Sequence, residues 1–107
     1  MMTIAQINAA VAKFDGWIQF QDSDYWHRNG SHVTKRTHEL NYWHDLNLIS
    51  GAVEKLPDSK YIDYSIALAN VVPACNMRTL QEARRLLGAT APQRCEALLK
   101  HLNLWTD

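Results

Sequence analysis

The residues of this chain most suited to chemistry are its histidines, because four of the five lie within one stretch and imidazole nitrogens commonly bind metal ions. They are His27, His32, His38 and His44. Structural zinc sites usually combine cysteine and histidine at tight spacing, but no Cys-x-x-Cys or His-x-x-x-His pair occurs here. We therefore interpret the four as surface histidines and expect no metal and no cofactor. A metal site with His27 and His32 on neighbouring strands is the alternative.

Catalytic motifs are equally scarce. Asp22 and Asp24 lie close together, but no third carboxylate is spaced to complete a two-metal site. The chain has four glycines, and it contains neither a Gly-x-Ser-x-Gly motif nor a phosphate-binding glycine loop. A Cys–His nucleophile would need Cys75 or Cys95, and the helical pattern around Cys95 places that thiol on a buried face. We therefore expect no enzyme activity, and a metal-dependent or cysteine-dependent enzyme is the third hypothesis.

Residues 25–43 form a basic and aromatic stretch whose only acidic residue is Glu39. Three Lys and Arg side chains against one acid give it a charge of +2. Such residues can neutralise phosphates and stack on bases, or they can anchor a protein interface. The alternative, which we favour, is that Trp26, Tyr42 and Trp43 belong to the core and that the cations form a solvated face. Trp26 or Trp43 is the expected exposed anchor, whereas Trp17 and Trp105 are expected to fill the core. The candidate binding residues are Tyr25, Trp26, His27, Arg28, His32, Lys35, Arg36 and Trp43.

The composition indicates one globular domain over residues 1–107, with 47% hydrophobic residues. Eleven basic residues balance eleven acidic ones, so no net charge attracts the protein to nucleic acid or to a membrane. Two cysteines are too few for a disulfide framework. The first residues lack the pattern of a signal peptide, and no apolar run reaches the roughly 20 residues of a membrane span. We expect a cytoplasmic protein with reduced thiols and no membrane contact.

Start signals and apolar periodicity predict the helices. Capping-box spacing occurs at Thr3/Gln6, Thr79/Glu82 and Thr90/Gln93, and Asn41 is a suitable N-cap. The predicted helices are 3–14, about 42–56, 78–87 and one that starts at Thr90. The apolar residues expected on the buried face of each helix are Ile4, Ile7, Val11 and Phe14 in the first, Leu46, Ile49, Val53 and Leu56 in the second, and Cys95, Leu98, Leu99 and Leu102 in the last.

Strand signals are weaker. Residues 17–20 read as a short strand after a stop at Gly16. Asn29-Gly30 is a strong signal for a two-residue hairpin, which would pair Trp26 with Val33 and His27 with His32. Because side chains alternate along a strand, Trp26 and Val33 would share the inward face, and Tyr25, His27, His32 and Thr34 would share the other face. A loop over residues 21–39 is the alternative.

Residues 61–72 alternate like a strand, although their length and alanines favour a helix, and we expect a strand there.

Three segments resemble the phage ABA-sandwich family, small α/β/α proteins of bacteriophages and prophages. The first is Phe14-Asp15-Gly16-Trp17, where the family tends to have a Gly-Trp pair. The second is a helix opened by Asn41-Tyr42 and ended by Val53-Glu54-Lys55-Leu56, and the third is the run from Ala89-Thr90-Ala91-Pro92 to Leu99. Residues 21–39 have no counterpart in the family, and 73–87 are enlarged. The resemblance implies a fold and a phage origin but no catalytic residue.

The sequence thus predicts an α+β fold of α/β/α sandwich type, with three to four helices packed on a small antiparallel sheet. The function expected is non-catalytic protein binding in a bacterial host cell. The partner would be a host or phage protein, and the protein would modulate host machinery or inhibit a defence system, as anti-CRISPR inhibitors do. A nucleic-acid-associated protein that uses residues 25–43 is the alternative, and homodimerisation is left open.

Overall fold

A computed structural model of the chain describes residues 2–21, 23–28, 33–72 and 88–106. These residues form four α-helices and a three-stranded antiparallel sheet, which confirms the predicted α+β class. The helices are α1 (Ile4–Phe14), α2 (Leu46–Val53), α3 (Asp58–Val71) and α4 (Ala91–His101). The strands are β1 (Trp17–Gln19), β2 (Tyr25–Arg28) and β3 (Thr34–Arg36), and a 3₁₀ helix (Thr37–Glu39) follows β3.

Helix α1 begins and ends where the sequence predicts. The Thr3 hydroxyl accepts the Gln6 backbone N–H at 3.1 Å, and the Gln6 side chain accepts the Thr3 N–H at 2.8 Å. Gly16 follows the helix with φ of 94°, in the left-handed region that favours glycine. Ile7 and Val11 are buried, but Ile4 is exposed. The predicted apolar stripe therefore starts one turn too early.

Helix α4 is the central helix, because it contacts α1, α2 and α3. The predicted capping box is present, with Thr90 accepting the Gln93 N–H at 3.3 Å. Cys95, Leu98 and Leu99 are fully buried, as expected for the apolar side of this helix. The core of the described residues therefore surrounds α4.

The sheet has the order β1-β2-β3, and α1 packs against β1. The predicted strand register is wrong by two residues, since Trp26 lies opposite Lys35 rather than Val33 and His27 lies opposite Thr34 rather than His32. The pairing of β2 with β3 is extended beyond Tyr25 and Arg36, where the Thr37 N–H donates to the Asp24 carbonyl at 2.9 Å. An even offset leaves each side chain on its predicted face.

Other predictions for residues 17–33 have different outcomes. Val33, predicted to share a buried face with Trp26, is 54% exposed. The Asn29-Gly30 turn and His32 lie outside the described residues. The strand predicted at 17–20 is present as β1.

Helix α2 starts four residues later than predicted. Its N-cap is Asp45, whose carboxylate accepts the Leu48 N–H at 3.1 Å. Asn41, the predicted N-cap, instead accepts a hydrogen bond from the side chain of Asn8 on α1 at 3.1 Å. The Trp43 N–H donates to the same Asn8 side chain at 2.9 Å. These bonds to α1 hold residues 41–44 in a turn, and Leu46 at the start of α2 is exposed.

The strand predicted over 61–72 is wrong, because these residues belong to α3. Tyr64 and Leu68 are buried four residues apart, which is helical spacing, and α3 packs on α4. Ile62 and Ile66 are exposed on the other side of the helix. The alternating pattern therefore mixed residues of two helix faces. The helix predicted at 78–87 and Cys75 lie outside the described residues.

Within the described parts of the chain, no helix has the length and apolarity needed to cross a membrane.

Leu98→Ala should lower the free energy of unfolding by about 2–5 kcal/mol, because it leaves a cavity beside the central helix. The matched control is Leu46→Ala, at a leucine that is 45% exposed, and its effect should be within about 1 kcal/mol. Urea denaturation measures both changes. Equal losses in the two variants would contradict the central position of α4.

Candidate functional site

One buried carboxylate, Asp15, joins the helices to the sheet. Asp15 follows α1 and is 5% exposed. It accepts hydrogen bonds from Arg28 Nη2 at 2.9 Å and from the Tyr42 hydroxyl at 2.6 Å, and it forms an ion pair with Lys55. Lys55 also donates to the Asp15 backbone carbonyl at 3.0 Å. We call these four residues the Asp15 cluster, and their mutual pairing compensates the cost of burying the charge.

The protonation of Tyr42 is fixed by its surroundings. Burial raises the pKa of the Tyr42 hydroxyl well above its usual value, and the hydrogen bond to Asp15 and the charge of Asp15 raise it further. Tyr42 therefore remains a hydrogen-bond donor to Asp15 at neutral pH. This donor and the two cations all converge on one carboxylate, so the cluster acts as a structural connection between α1, β2 and the residues on either side of α2.

Trp26, one of the predicted binding residues, is buried in the structure and is not accessible to a partner. Its side chain is 2% exposed, and its indole N–H donates to the Thr37 hydroxyl at 3.0 Å. The interpretation of Trp26 as an exposed anchor is therefore wrong, because it lies on the inner face of β2. Trp43 is half-buried and packs against the core. Trp17 is buried, as expected, and Trp105 packs against the core as a partly buried side chain.

The predicted cations are divided between the two faces of the sheet. Arg28 binds Asp15 and also lies 4.5 Å from the centre of the Trp17 ring. Lys35 lies on the same inner face, 5.8 Å from that ring. Arg36 is on the outer face, where its guanidinium lies over the Tyr25 ring at 5.4 Å and donates to the Tyr25 hydroxyl at 3.1 Å. The three cations therefore do not form one basic surface.

The opposite face of the sheet carries a set of exposed apolar and aromatic side chains. Its members, which we call the outer sheet face, are Ile18, Phe20, Tyr25, His27, Thr34 and Arg36. Ile18, Phe20 and Tyr25 are 45–48% exposed. The rings of Phe20 and His27 are stacked at 4.2 Å. The Phe20 N–H donates to the Tyr25 carbonyl at 3.0 Å, which holds Phe20 beside β2.

Sequence reasoning included Tyr25, His27 and Arg36 in the site but missed Ile18 and Phe20. The signal was available, because side chains alternate along a strand. With Trp17 buried, Ile18 and Phe20 have to point to the other face. Large apolar side chains that remain half-exposed next to each other are typical of interaction surfaces.

A second exposed apolar patch lies on α3. Tyr61, Ile62 and Ile66 are 44–62% exposed. The tyrosine ring contacts Tyr64 at 5.7 Å, with the planes tilted. This patch contains no arginine and one aromatic ring, so it offers fewer of the residue types that usually anchor a protein interface.

The described residues offer little to a metal ion. They contain no group of three or more His, Cys, Asp or Glu side chains placed to hold one. His27 stacks on Phe20, and His44 shares a hydrogen bond of 3.1 Å with Asn41. His38 is exposed on the 3₁₀ helix.

Burial raises the pKa of the Cys95 thiol to about 12, so this group is protonated at neutral pH.

No protein family, characterised protein or solved structure matches this chain. The assignment to the phage ABA-sandwich family therefore stays a prediction from the three segments quoted above.

Tyr42→Phe should lower the free energy of unfolding by about 1.5–3 kcal/mol, because it removes a hydrogen bond to a buried carboxylate. Tyr25→Phe is the matched control. It removes an exposed hydroxyl that bonds Arg36, and its effect should be within about 0.5 kcal/mol. Urea denaturation at neutral pH compares the two variants, and a Tyr42→Phe variant as stable as Tyr25→Phe would contradict the role given to the Asp15 cluster.

Stability should fall at alkaline pH. Burial raises the folded-state pKa of Cys95 and Tyr64 to about 12 and that of Tyr42 still further. In the unfolded chain these groups ionise from about pH 9 upward, so the unfolded state loses protons first. The stabilisation is complete below about pH 9 and is lost progressively as the pH rises towards the folded-state pKa values. Denaturation midpoints measured from about pH 8 to 11 test this, and a constant or rising stability would contradict it.

Proposed function

We propose that this protein acts by non-catalytic binding of another protein through the outer sheet face. The observation that carries the proposal is the group of three large apolar side chains, Ile18, Phe20 and Tyr25, each about half-exposed on one face of a short sheet. Aromatic residues and arginine often contribute most of the binding energy at protein interfaces. Tyr25 with Arg36 over its ring supplies both types at one position.

The support beneath this face favours binding with little entropy loss. Trp26 fills the space under the sheet, and Arg28 connects β2 to the buried Asp15. Arg36 is already ordered by its contact with Tyr25, and Phe20 by its stacking on His27. Side chains that are ordered before binding lose less conformational entropy in the complex.

The distribution of charge favours a protein over a nucleic acid. Binding to a phosphate backbone depends on several cations that contact phosphates together. Here Arg28 is paired with Asp15 and Lys35 lies on the inner face, which leaves Arg36 on the outer sheet face. The aromatic rings of this face could stack on bases, so nucleic acid remains the alternative that the experiment below has to separate.

The identity of the partner rests on the resemblance to the phage ABA-sandwich family. A phage accessory protein would meet host and phage proteins in the bacterial cytoplasm. A partner among host defence or regulatory proteins, as for an anti-CRISPR inhibitor, therefore belongs to the proposal. Its contact surface should be apolar at the centre, with an acidic group opposite Arg36.

The test is capture with the tagged protein from a lysate of the bacterium that carries the gene, at about 50 and 500 mM salt, followed by affinity measurement with the purified partner. The double variant Ile18→Ala/Tyr25→Ala should weaken binding at least about tenfold, because it removes two central apolar contacts. The matched control is Tyr61→Ala/Ile62→Ala on α3, which removes the same residue types from a patch where the tyrosine is about as exposed and the isoleucine is more exposed.

We expect one salt-resistant protein, bound normally by the α3 variant and weakly by the sheet variant, with circular dichroism unchanged in both. Loss of binding in the α3 variant alone would contradict the proposal. Capture of nucleic acid alone, lost at high salt, would favour the alternative function.

A further inference from the structure

The outer edge of β1 offers unpaired backbone groups. β1 is the end strand of the sheet. The Phe20 N–H donates to the Tyr25 carbonyl across to β2, so by the alternation of an antiparallel pair Ile18 also directs its backbone groups to β2. Trp17 and Gln19 consequently direct their backbone N–H and C=O groups away from β2. Among the described residues, nothing hydrogen-bonds to these four groups.

The other edge of the sheet is partly closed. On β3, the Arg36 backbone N–H donates to the Glu39 carboxylate at 3.1 Å. The chain then turns into the 3₁₀ helix (Thr37–Glu39), which ends the strand at Arg36. An edge strand with free backbone groups is a site where another chain can add a strand. β1 is therefore the edge better suited to this mode of binding.

Space for a further strand exists beside β1. A cavity of about 510 Å³ is lined by Lys13, Trp17, Ile18, Gln19 and Gln21. A strand added to a sheet lies about 4.8 Å from its neighbour, and the lining of this cavity by three consecutive residues of β1 places it against that strand. Lys13, in the last turn of α1, is exposed and has no ion-pair partner among the described residues. An acidic side chain on the added strand would complement it.

We propose that the partner adds an extended segment carrying an acidic residue to the outer edge of β1 as a fourth strand. Trp17 and Gln19 contribute up to four backbone hydrogen bonds, and Lys13 pairs with the acidic side chain. Apolar side chains of the segment continue the outer sheet face beside Ile18. This inference rests on the proposed function and specifies how the partner backbone is held.

Gln19→Pro tests the edge directly. Proline removes the outward N–H of Gln19 without removing a bond to β2, and it is tolerated on edge strands whose N–H faces solvent. The control is Gln19→Ala, which keeps the N–H and removes the side chain that donates to the Ser23 carbonyl at 2.8 Å. The probe is a peptide selected from a random library on the wild-type protein. We expect at least about tenfold weaker binding to Gln19→Pro than to Gln19→Ala.

Amide hydrogen exchange of the wild-type protein provides a readout that needs no variant. The Trp17 and Gln19 amides should exchange quickly in the free protein and become protected in the peptide complex, whereas the Ile18 amide should be protected in both. Lys13→Glu should lower the affinity for peptides that carry an acidic residue and leave the affinity for other peptides unchanged. Unprotected Trp17 and Gln19 amides in the complex, or equal binding to both Gln19 variants, would overturn the inference.

Two further outcomes would also overturn it. The first is that the peptide library yields no peptide whose binding depends on Gln19. The second is that the wild-type protein self-associates and Gln19→Pro abolishes this self-association, because a second copy of the chain would then occupy the edge of β1. Failure of the edge alone is distinguishable from failure of the proposed function. If Gln19→Pro binds the captured partner normally and Ile18→Ala/Tyr25→Ala does not, the outer sheet face still binds protein without strand addition. If neither variant weakens binding, both proposals fail.

Discussion

The interaction on which the described structure depends is the burial of the Asp15 carboxylate. Strands of three or four residues in a three-stranded sheet form a stable unit only when they pack on other elements. Asp15 provides part of this packing by binding side chains 13, 27 and 40 residues away in the chain, namely those of Arg28, Tyr42 and Lys55. Removal of any one partner would leave the buried charge less compensated, so each of the three partners contributes to the stability of the fold.

The composition of the outer sheet face, which we propose as the binding surface, follows from the same arrangement. Arg28 reaches Asp15 from the inner face of β2, and Trp26 fills that face two residues earlier. Side chains alternate along a strand, so Tyr25 and His27 have to lie on the outer face. The two faces thus divide the predicted basic and aromatic stretch into a supporting half and an exposed half. Among the described strand residues of that stretch, Trp26, Arg28 and Lys35 lie on the inner face, and Tyr25, His27, Thr34 and Arg36 lie on the outer face.

Local signals in the sequence predicted local structure well. The capping boxes at Thr3 and Thr90 and the turn at Gly16 depend on residues at most a few positions apart, and the structure contains all three. The misassigned features depend on distant partners. Asn41 bonds Asn8 rather than capping α2, and the 61–72 segment is helical because α4 covers Tyr64 and Leu68. The proposed binding surface differs from the predicted set of residues for the same reason, since the burial of Trp26 is decided by packing and not by its neighbours in sequence.

The most direct test of this account is hydroxyl-radical footprinting of the protein alone and in complex with its captured partner. The method reports the solvent exposure of individual side chains. We expect Ile18, Phe20 and Tyr25 to lose reactivity in the complex, and Tyr61, Ile62 and Ile66 on α3 to keep theirs. Protection of the α3 residues with an unchanged outer sheet face would contradict it.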